Sequence, residues 1–318
     1  MRAALLITVL SAAGSLAAEP FLSLPIDCVP GTTCFIEDYV DADPGPGQSD
    51  YMCGAKSRDD HRGTDIALPD FAAMEAGVNV LAAASGVVEA TRDGMTDRIL
   101  TPENASSVEG RECGNAVRIG HENGLKTLYC HMAQGSIGVH SGDRVQAGQP
   151  IGRVGLSGQT TYPHVHISVL NADGSEVDPF APGAARCGEA QETLWLDPIP
   201  YDRSGLFTAG FSDGVPGFDA VRSGDARRAK IGRDAPLVLY GYAFHAETGD
   251  RMLMRVEGPG GALFDHEETI DEGKAQLFRA FGRRAPEGGW PPGAYRGFVT
   301  VLRGDRLIAA RHADVTVP

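Results

Sequence analysis

Between Val78 and Val169 the chain is a succession of short runs rich in strand-forming residues: "NVLAAASGVVEAT", "NAVRIGH", "KTLYCHM", "IGRVGLSG" and "HVHISVL". Glycine-bearing turns separate them. This pattern predicts an all-β domain, and 41 glycines with 20 prolines in 318 residues say the same of the whole chain: turn-rich β structure with few helices. That length exceeds what one core usually organises, so two domains are expected, and 42% hydrophobic content is ample to bury both. After Cys187, "LWLDPIPYDRSG" reads as a linker, placed at 191–205. The runs "PLVLYGYAFHA", "RMLMRVEGP", "AYRGFVTVLRG" and "RLIAARHADVTV" then read as a second set of strands, an immunoglobulin-like β-sandwich over 206–318. There is no internal repeat, coiled-coil heptad or low-complexity tract.

The first 18 residues combine Arg2, a short apolar run from Ala3 to Leu10 and small residues at Ser15, Ala17 and Ala18, the pattern of a secretory signal peptide. The run is well short of the roughly 20 residues that a membrane span needs. The mature protein is therefore expected to be exported, periplasmic or secreted, without a membrane span. Residues 19–55 carry three cysteines and a proline/glycine stretch with little periodicity, an irregular segment stapled to the β-rich domain after it. The six cysteines (Cys28, Cys34, Cys53, Cys113, Cys130, Cys187) all lie beyond the signal, and an even count in an exported chain predicts three disulfides. Only Cys113 with Cys130 can be argued locally, across a hairpin turning at Glu122 to Gly124. A cysteine zinc site is disfavoured because no C-x-x-C pair occurs. The formal net charge of −14, without a basic cluster, argues against nucleic acid and anionic membranes as partners.

Chemistry enters with "TTYPHVHISV". Side chains on a strand alternate faces, so His164 and His166 project the same way and one strand supplies two imidazoles to one site. Pro163, lacking an N–H, suits the start of that strand. In "DDHRGTDIALP", His61 and Asp65 are spaced H-x-x-x-D around a glycine, which favours a turn into a strand over a helical pair. Imidazole and carboxylate are both good zinc donors. With one histidine of the H-x-H they make three protein ligands, the number that a catalytic zinc site uses while keeping a fourth position for water. "LYCHM" puts His131 at the end of another strand. His245, His266 and His312 lack ligand-like spacing and read as surface or core histidines.

In this order, "HRGTD", "LYCHM" and "PHVHISV" resemble the lysostaphin-type, or LytM-domain, peptidoglycan zinc metallopeptidases, and the stretches between them and the trailing "GSEVDPF" agree over roughly residues 55 to 182. The resemblance implies an antiparallel sheet with a groove over 56–190, and one zinc ion per chain held by His61, Asp65 and His166. It implies that His131 and His164 face the reacting water and the scissile carbonyl, and that the substrate is a peptidoglycan peptide. His121 and His140 match no catalytic position and are expected in exposed turns. Val165 stands where the family commonly has leucine; Cys130 beside His131 and the long polar loop from Gly94 to Arg111 are less usual. The expected function is an exported zinc endopeptidase cleaving stem or cross-bridge peptides. Two alternatives stand beside it: a non-catalytic regulator of another wall hydrolase, and an exported peptidase acting on proteins. The sandwich could position the enzyme, bind a protein partner or cover the cleft.

Overall fold

The structure is a computed structural model that describes residues 19–190 and 192–318; the expected signal peptide lies outside them. The chain is built almost wholly of antiparallel strands. The first part contributes β1 (Phe35–Asp38), β2 (Thr64–Ala67), β3 (Asn79–Leu81), β4 (Gly86–Arg92), β5 (Asn115–Gly120), β6 (Lys126–Met132), β7 (Arg144–Val145), β8 (Pro150–Arg153), β9 (His164–Leu170) and β10 (Glu176–Val177), with one short helix, α1 (Phe71–Ala76). The order in the main sheet is β1-β2-β9-β6-β5-β4-β7, with β10 against β9, while β3 and β8 form a separate pair. Alternation along these strands separates two faces. Ile66, Val117, Tyr129, Val165, Ile167 and Val169 enter one buried cluster. Asp65 and His166 pair across β2 and β9, as do Ala67 and His164, and so look out on the opposite face.

Three disulfides close the first part: Cys28–Cys34, Cys53–Cys187 and Cys113–Cys130, the last as expected from the hairpin. The segment 19–55, expected to be irregular, instead supplies β1 at the edge of the main sheet, and its Leu22, Ile26 and Tyr39 are core residues. Nor is 191–205 a solvent-exposed linker throughout. Leu194 and Trp195 are buried in the same core, where Trp195 bridges to Leu22. In both segments the apolar residues that enter the core occur singly or in pairs, so no periodicity marks them.

The second part forms two sheets around a common cluster that includes Phe211, Leu239, Met254 and Val299. One has β11 (Gly205–Ser212), β12 (Leu237–Ala246) and β15 (Lys274–Arg283) in the order β11-β12-β15. The other has β13 (Arg251–Gly258), β14 (Gly261–Thr269), β16 (Gly293–Arg303) and β17 (Arg306–Val317) in the order β14-β13-β16-β17. A short helix, α2 (Phe218–Ser223), lies between β11 and β12 in the chain. Among the described residues no helix is long and apolar enough to cross a membrane.

The three-stranded sheet packs against the first part through a third buried cluster. Phe35, Ala67 and Tyr162 meet Phe207, Tyr240, Tyr242 and Phe244 there. Phe35 is the strand partner of Ala67, so this junction sits on the same face of the main sheet as Asp65 and His164. Polar contacts fix it further. Arg227 pairs with Asp70 at 2.6 Å, the same carboxyl group that caps α1. The buried Lys56 donates to the Asp202 carbonyl and lies over the Phe244 ring. Phe207→Ala is expected to lower stability by about 3–5 kcal/mol, because its ring fills the centre of this junction. Urea denaturation monitored by fluorescence measures it, and a loss below about 1 kcal/mol would show the junction to be loosely packed.

Candidate metal centre

Four adjacent strands bring the site together. Asp38 on β1 is opposite Asp65 on β2, Asp65 is opposite His166 on β9, and His166 is opposite Cys130 on β6. The row gathers residues more than 100 positions apart, and the turn "HRG" before β2 swings His61 onto it. His61 Nε2 lies 3.2 Å from His166 Nδ1 and 3.2 Å from Asp65 Oδ2, and His166 Nδ1 lies 2.7 Å from Asp65 Oδ1. Among the described residues, these three form the one group of histidine, cysteine or acidic residues spaced so that it could hold a metal ion. Zinc bonds of roughly 2.0–2.1 Å in a tetrahedron set ligand atoms about 3.3 Å apart, so the donors need only small adjustments to surround the ion.

The chemistry of the donors fits as well as their spacing. His61 Nδ1 donates to the Tyr39 carbonyl at 2.6 Å, leaving Nε2 to face the other two ligands. His166 Nε2 is 3.0 Å from Ser168 Oγ, which itself donates to the Arg62 carbonyl, so that oxygen accepts from the imidazole and leaves Nδ1 facing inward. Such outer hydrogen bonds choose the tautomer and hold the ring. The Arg58 guanidinium pairs with Asp65 and, at 2.8 Å, with Asp38. Burial alone would raise the Asp65 carboxyl, but His61, His164 and His166 outweigh it and hold Asp65 well below the usual carboxylate range.

His131 and His164 stand beside this group. Their rings are 4.7 Å apart, and that of His131 is 6.0 Å from His166. His131 Nδ1 is bonded to the Ser157 carbonyl at 2.8 Å, and His164 Nδ1 to that of Tyr162 at 2.9 Å, so each offers its Nε2. Burial, foremost, pushes both imidazoles below the ordinary range and favours the neutral form. Strict alternation would send His131 to the face opposite Cys130. Its backbone instead takes φ = 61°, a left-handed conformation that costs a non-glycine residue roughly 1–2 kcal/mol. The neighbouring Cys113–Cys130 bridge and the bond from His131 N–H to the Cys113 carbonyl hold it there.

A groove of about 570 Å³ opens at Asp65 and His164. Its lining adds residues that sequence reasoning missed: Glu37, Asp38 and Arg58 from the first part, and His245 and Gln276 from the second. His245 is therefore more than a core or surface histidine, with Nε2 3.6 Å from Asp38 Oδ1. No local motif announces these residues, because only the packing of the two parts brings them to the site. A larger cavity, about 870 Å³, lies near β4, β5 and β7, at the far end of the main sheet. It includes His121, half-buried rather than exposed, with its nitrogens near the Ser85 carbonyl and Thr127 Oγ1. His140 is exposed, as expected.

Residues 59–179 match the model of Peptidase family M23, so the resemblance carried by the three motifs holds over that segment. The DD-carboxypeptidase/endopeptidase Mpg of Neisseria meningitidis is 33% identical over 123 residues, 38% of this chain and 22% of the relative. The peptidoglycan DD-endopeptidase ShyC of Vibrio cholerae is 32% identical over 138 residues, 42% of this chain and 26% of the relative. The chain thus spans about a quarter of the length of these relatives or less. Among solved structures, the catalytic domain of a mutant prophage-encoded M23 protein, EnpA, from Enterococcus faecalis aligns at 25% identity over 52% of this chain and 98% of that one, with a TM-score of 0.34.

The glycine of "HRGTD" has a steric reason. A Cβ on Gly63 would lie 2.5 Å from His166 Nε2 and 2.7 Å from the Ile167 carbonyl oxygen. Gly63→Ala is therefore expected to push the His166 ring aside and weaken metal binding by about tenfold or more. Gly138→Ala, where a Cβ meets nothing within 4 Å, should leave affinity unchanged. Competition against a chromophoric chelator measures both, and equal affinities would show that the ring has room to yield.

Proposed function

We propose that this protein is an exported, zinc-dependent endopeptidase that hydrolyses peptide bonds in peptidoglycan stem or cross-bridge peptides. The observation that carries the reading is the convergence of His61, Asp65 and His166 beside two further histidines in a groove, within a segment that matches a peptidase family. The names of both relatives specify endopeptidase activity, and the substrate class is taken from that of the Vibrio cholerae relative, a peptidoglycan DD-endopeptidase. Three disulfides suit an oxidising, extracytoplasmic compartment. The second part, with sheets ordered β11-β12-β15 and β14-β13-β16-β17, is read as an immunoglobulin-like sandwich.

His61 Nε2, Asp65 and His166 Nδ1 would hold the zinc ion, which when bound supplies Lewis acidity to a peptide carbonyl and to a water molecule. Arg58 pairs with the Asp65 carboxylate and orients it. His164, with Nδ1 committed to the Tyr162 carbonyl, lines the groove, and its buried Nε2 makes no hydrogen bond within the chain and lies 3.5 Å from Asp65 Oδ1. Held neutral by burial, that nitrogen can accept a proton from an attacking water. His131, anchored in the same way through Nδ1, also presents an unprotonated Nε2 while neutral, so it can accept from the attacking water, and it can donate to the developing oxyanion or the leaving amine only after it has taken up a proton. The pair works because each ring is fixed by a backbone carbonyl and not by a flexible side chain.

His61→Ala should lose zinc, since two remaining protein ligands hold it poorly. His131→Ala and His164→Ala should retain zinc while turnover falls at least about a hundredfold. Metal content by atomic emission and mass spectrometry of muropeptides released from cross-linked peptidoglycan test the two halves separately. Zinc retained at the wild-type level in His61→Ala would overturn the ligand set. No new peptide ends from zinc-loaded wild-type protein would overturn the substrate.

A further inference from the structure

The register of β1 against β2 slips between Ile36 and Asp38, so that Glu37 and Asp38 together oppose the single residue Asp65. A bulge of this kind re-aims side chains, and here both carboxyl groups line the groove. Two of the three acidic residues nearest the candidate metal centre are matched by a cation of the chain: Arg58 pairs with Asp38 and with Asp65. Glu37 is different. Its hydrogen-bond partner is the neutral amide of Gln276, which crosses from β15 to donate from Nε2 to Glu37 Oε1 at 2.8 Å. Gln276 cannot turn freely, because Tyr242 OH donates to its Oε1 at 2.7 Å. The buried Lys56 gives its hydrogen bond to the Asp202 carbonyl, and His245 lies against Asp38. Burial first, then Asp38 and Asp65, push the Glu37 carboxyl up to about 8 against the opposing pull of Gln276 and Arg58, so a cation brought beside it would favour the carboxylate. In the same groove the 5% exposed His164 makes no hydrogen bond through Nε2, which lies 3.5 Å from Asp65 Oδ1.

We infer that Glu37, held by Gln276 of the second part, binds a free amino group of the peptide substrate in this groove, an inference that rests on the peptidase reading above. An ammonium group supplies the charge and the N–H donors that one carboxylate with a neutral neighbour can use. A second metal ion is a poorer match, since Asp38, the nearest other carboxylate, is already occupied by Arg58 and His245. The sandwich thereby forms a wall of the substrate groove and takes part in selection, in addition to any partner it binds elsewhere.

The test uses the zinc-loaded full chain and two synthetic cross-linked stem peptides that differ in one respect: a free side-chain amino group in one is N-acetylated in the other. Glu37→Gln, which keeps the hydrogen bond to Gln276 but removes the charge, should raise KM for the amino peptide about tenfold with kcat unchanged, and leave KM for the acetylated peptide as it was. Glu37→Asp should recover most of the preference. An equal change on both peptides, or no change on either, would overturn the amino-group site while the peptidase reading stood. If the wild type cleaves neither peptide, that reading fails, and calorimetric binding decides the inference alone. A preference for the amino peptide that Glu37→Gln abolishes would sustain it, and no preference would overturn it.

Discussion

Asp65 is a carboxylate almost fully removed from solvent, and the arrangement around it stems from that fact. An isolated buried charge is costly, so it persists only where donors and cations enclose it. Here Arg58 and His61 converge on it from the segment just before β2, and His164 and His166 from β9. The pairing of β2 with β9 makes the convergence possible, because strand register places Asp65 and His166 opposite each other. The apolar face of the same strands, Ile66 with Val165 and Ile167, locks that register into the core. A one-residue slip of β9 would turn His164 and His166 into the apolar core and send Val165 and Ile167 to the polar face. The stability of the sheet and the geometry of the polar cluster are thus two faces of one pairing.

How much of this could be read from sequence depended on whether the signal was local. Alternation in "HVHISV" placed His164 and His166 on one face, and the H-x-x-x-D spacing around Gly63 pointed to a turn into a strand. The structure puts the four residues singled out from these two motifs, and His131 of "LYCHM", within one cluster. What stayed hidden was non-local or irregular. Glu37 and Asp38 reach the groove through a bulge, which no periodicity reveals. His131 reaches its neighbours through a left-handed backbone at a position where alternation would point it elsewhere. Leu194 and Trp195 looked like part of a linker because isolated apolar residues in an aperiodic stretch give no sign of the core they enter.

The contact between the two parts is equally invisible in either part alone. Phe207, Tyr242 and Phe244 alternate along their strands as any sandwich residues would, yet they cover part of the functional face of the main sheet beside Phe35 and Tyr162. A sheet whose polar site opens on one face has spare apolar surface next to that site, and the sandwich occupies it. This explains why residues from both parts line one groove, and why the first strand of the chain, with its bulge, lies where they meet.

The Cys53–Cys187 bridge closes a covalent ring of chain, and every residue of the polar cluster, from His61 to His166, lies inside it. The long loop between β4 and β5, with its largely exposed tip, lies inside the ring too, and such loops are where proteases cut first. A single cut there would leave two fragments still joined through Cys53 and Cys187, with β2 on one fragment and β6 and β9 on the other held in register by the sheet. In an environment rich in proteases, the nicked molecule remains one particle with its cluster intact, and it comes apart only when the bridge is reduced.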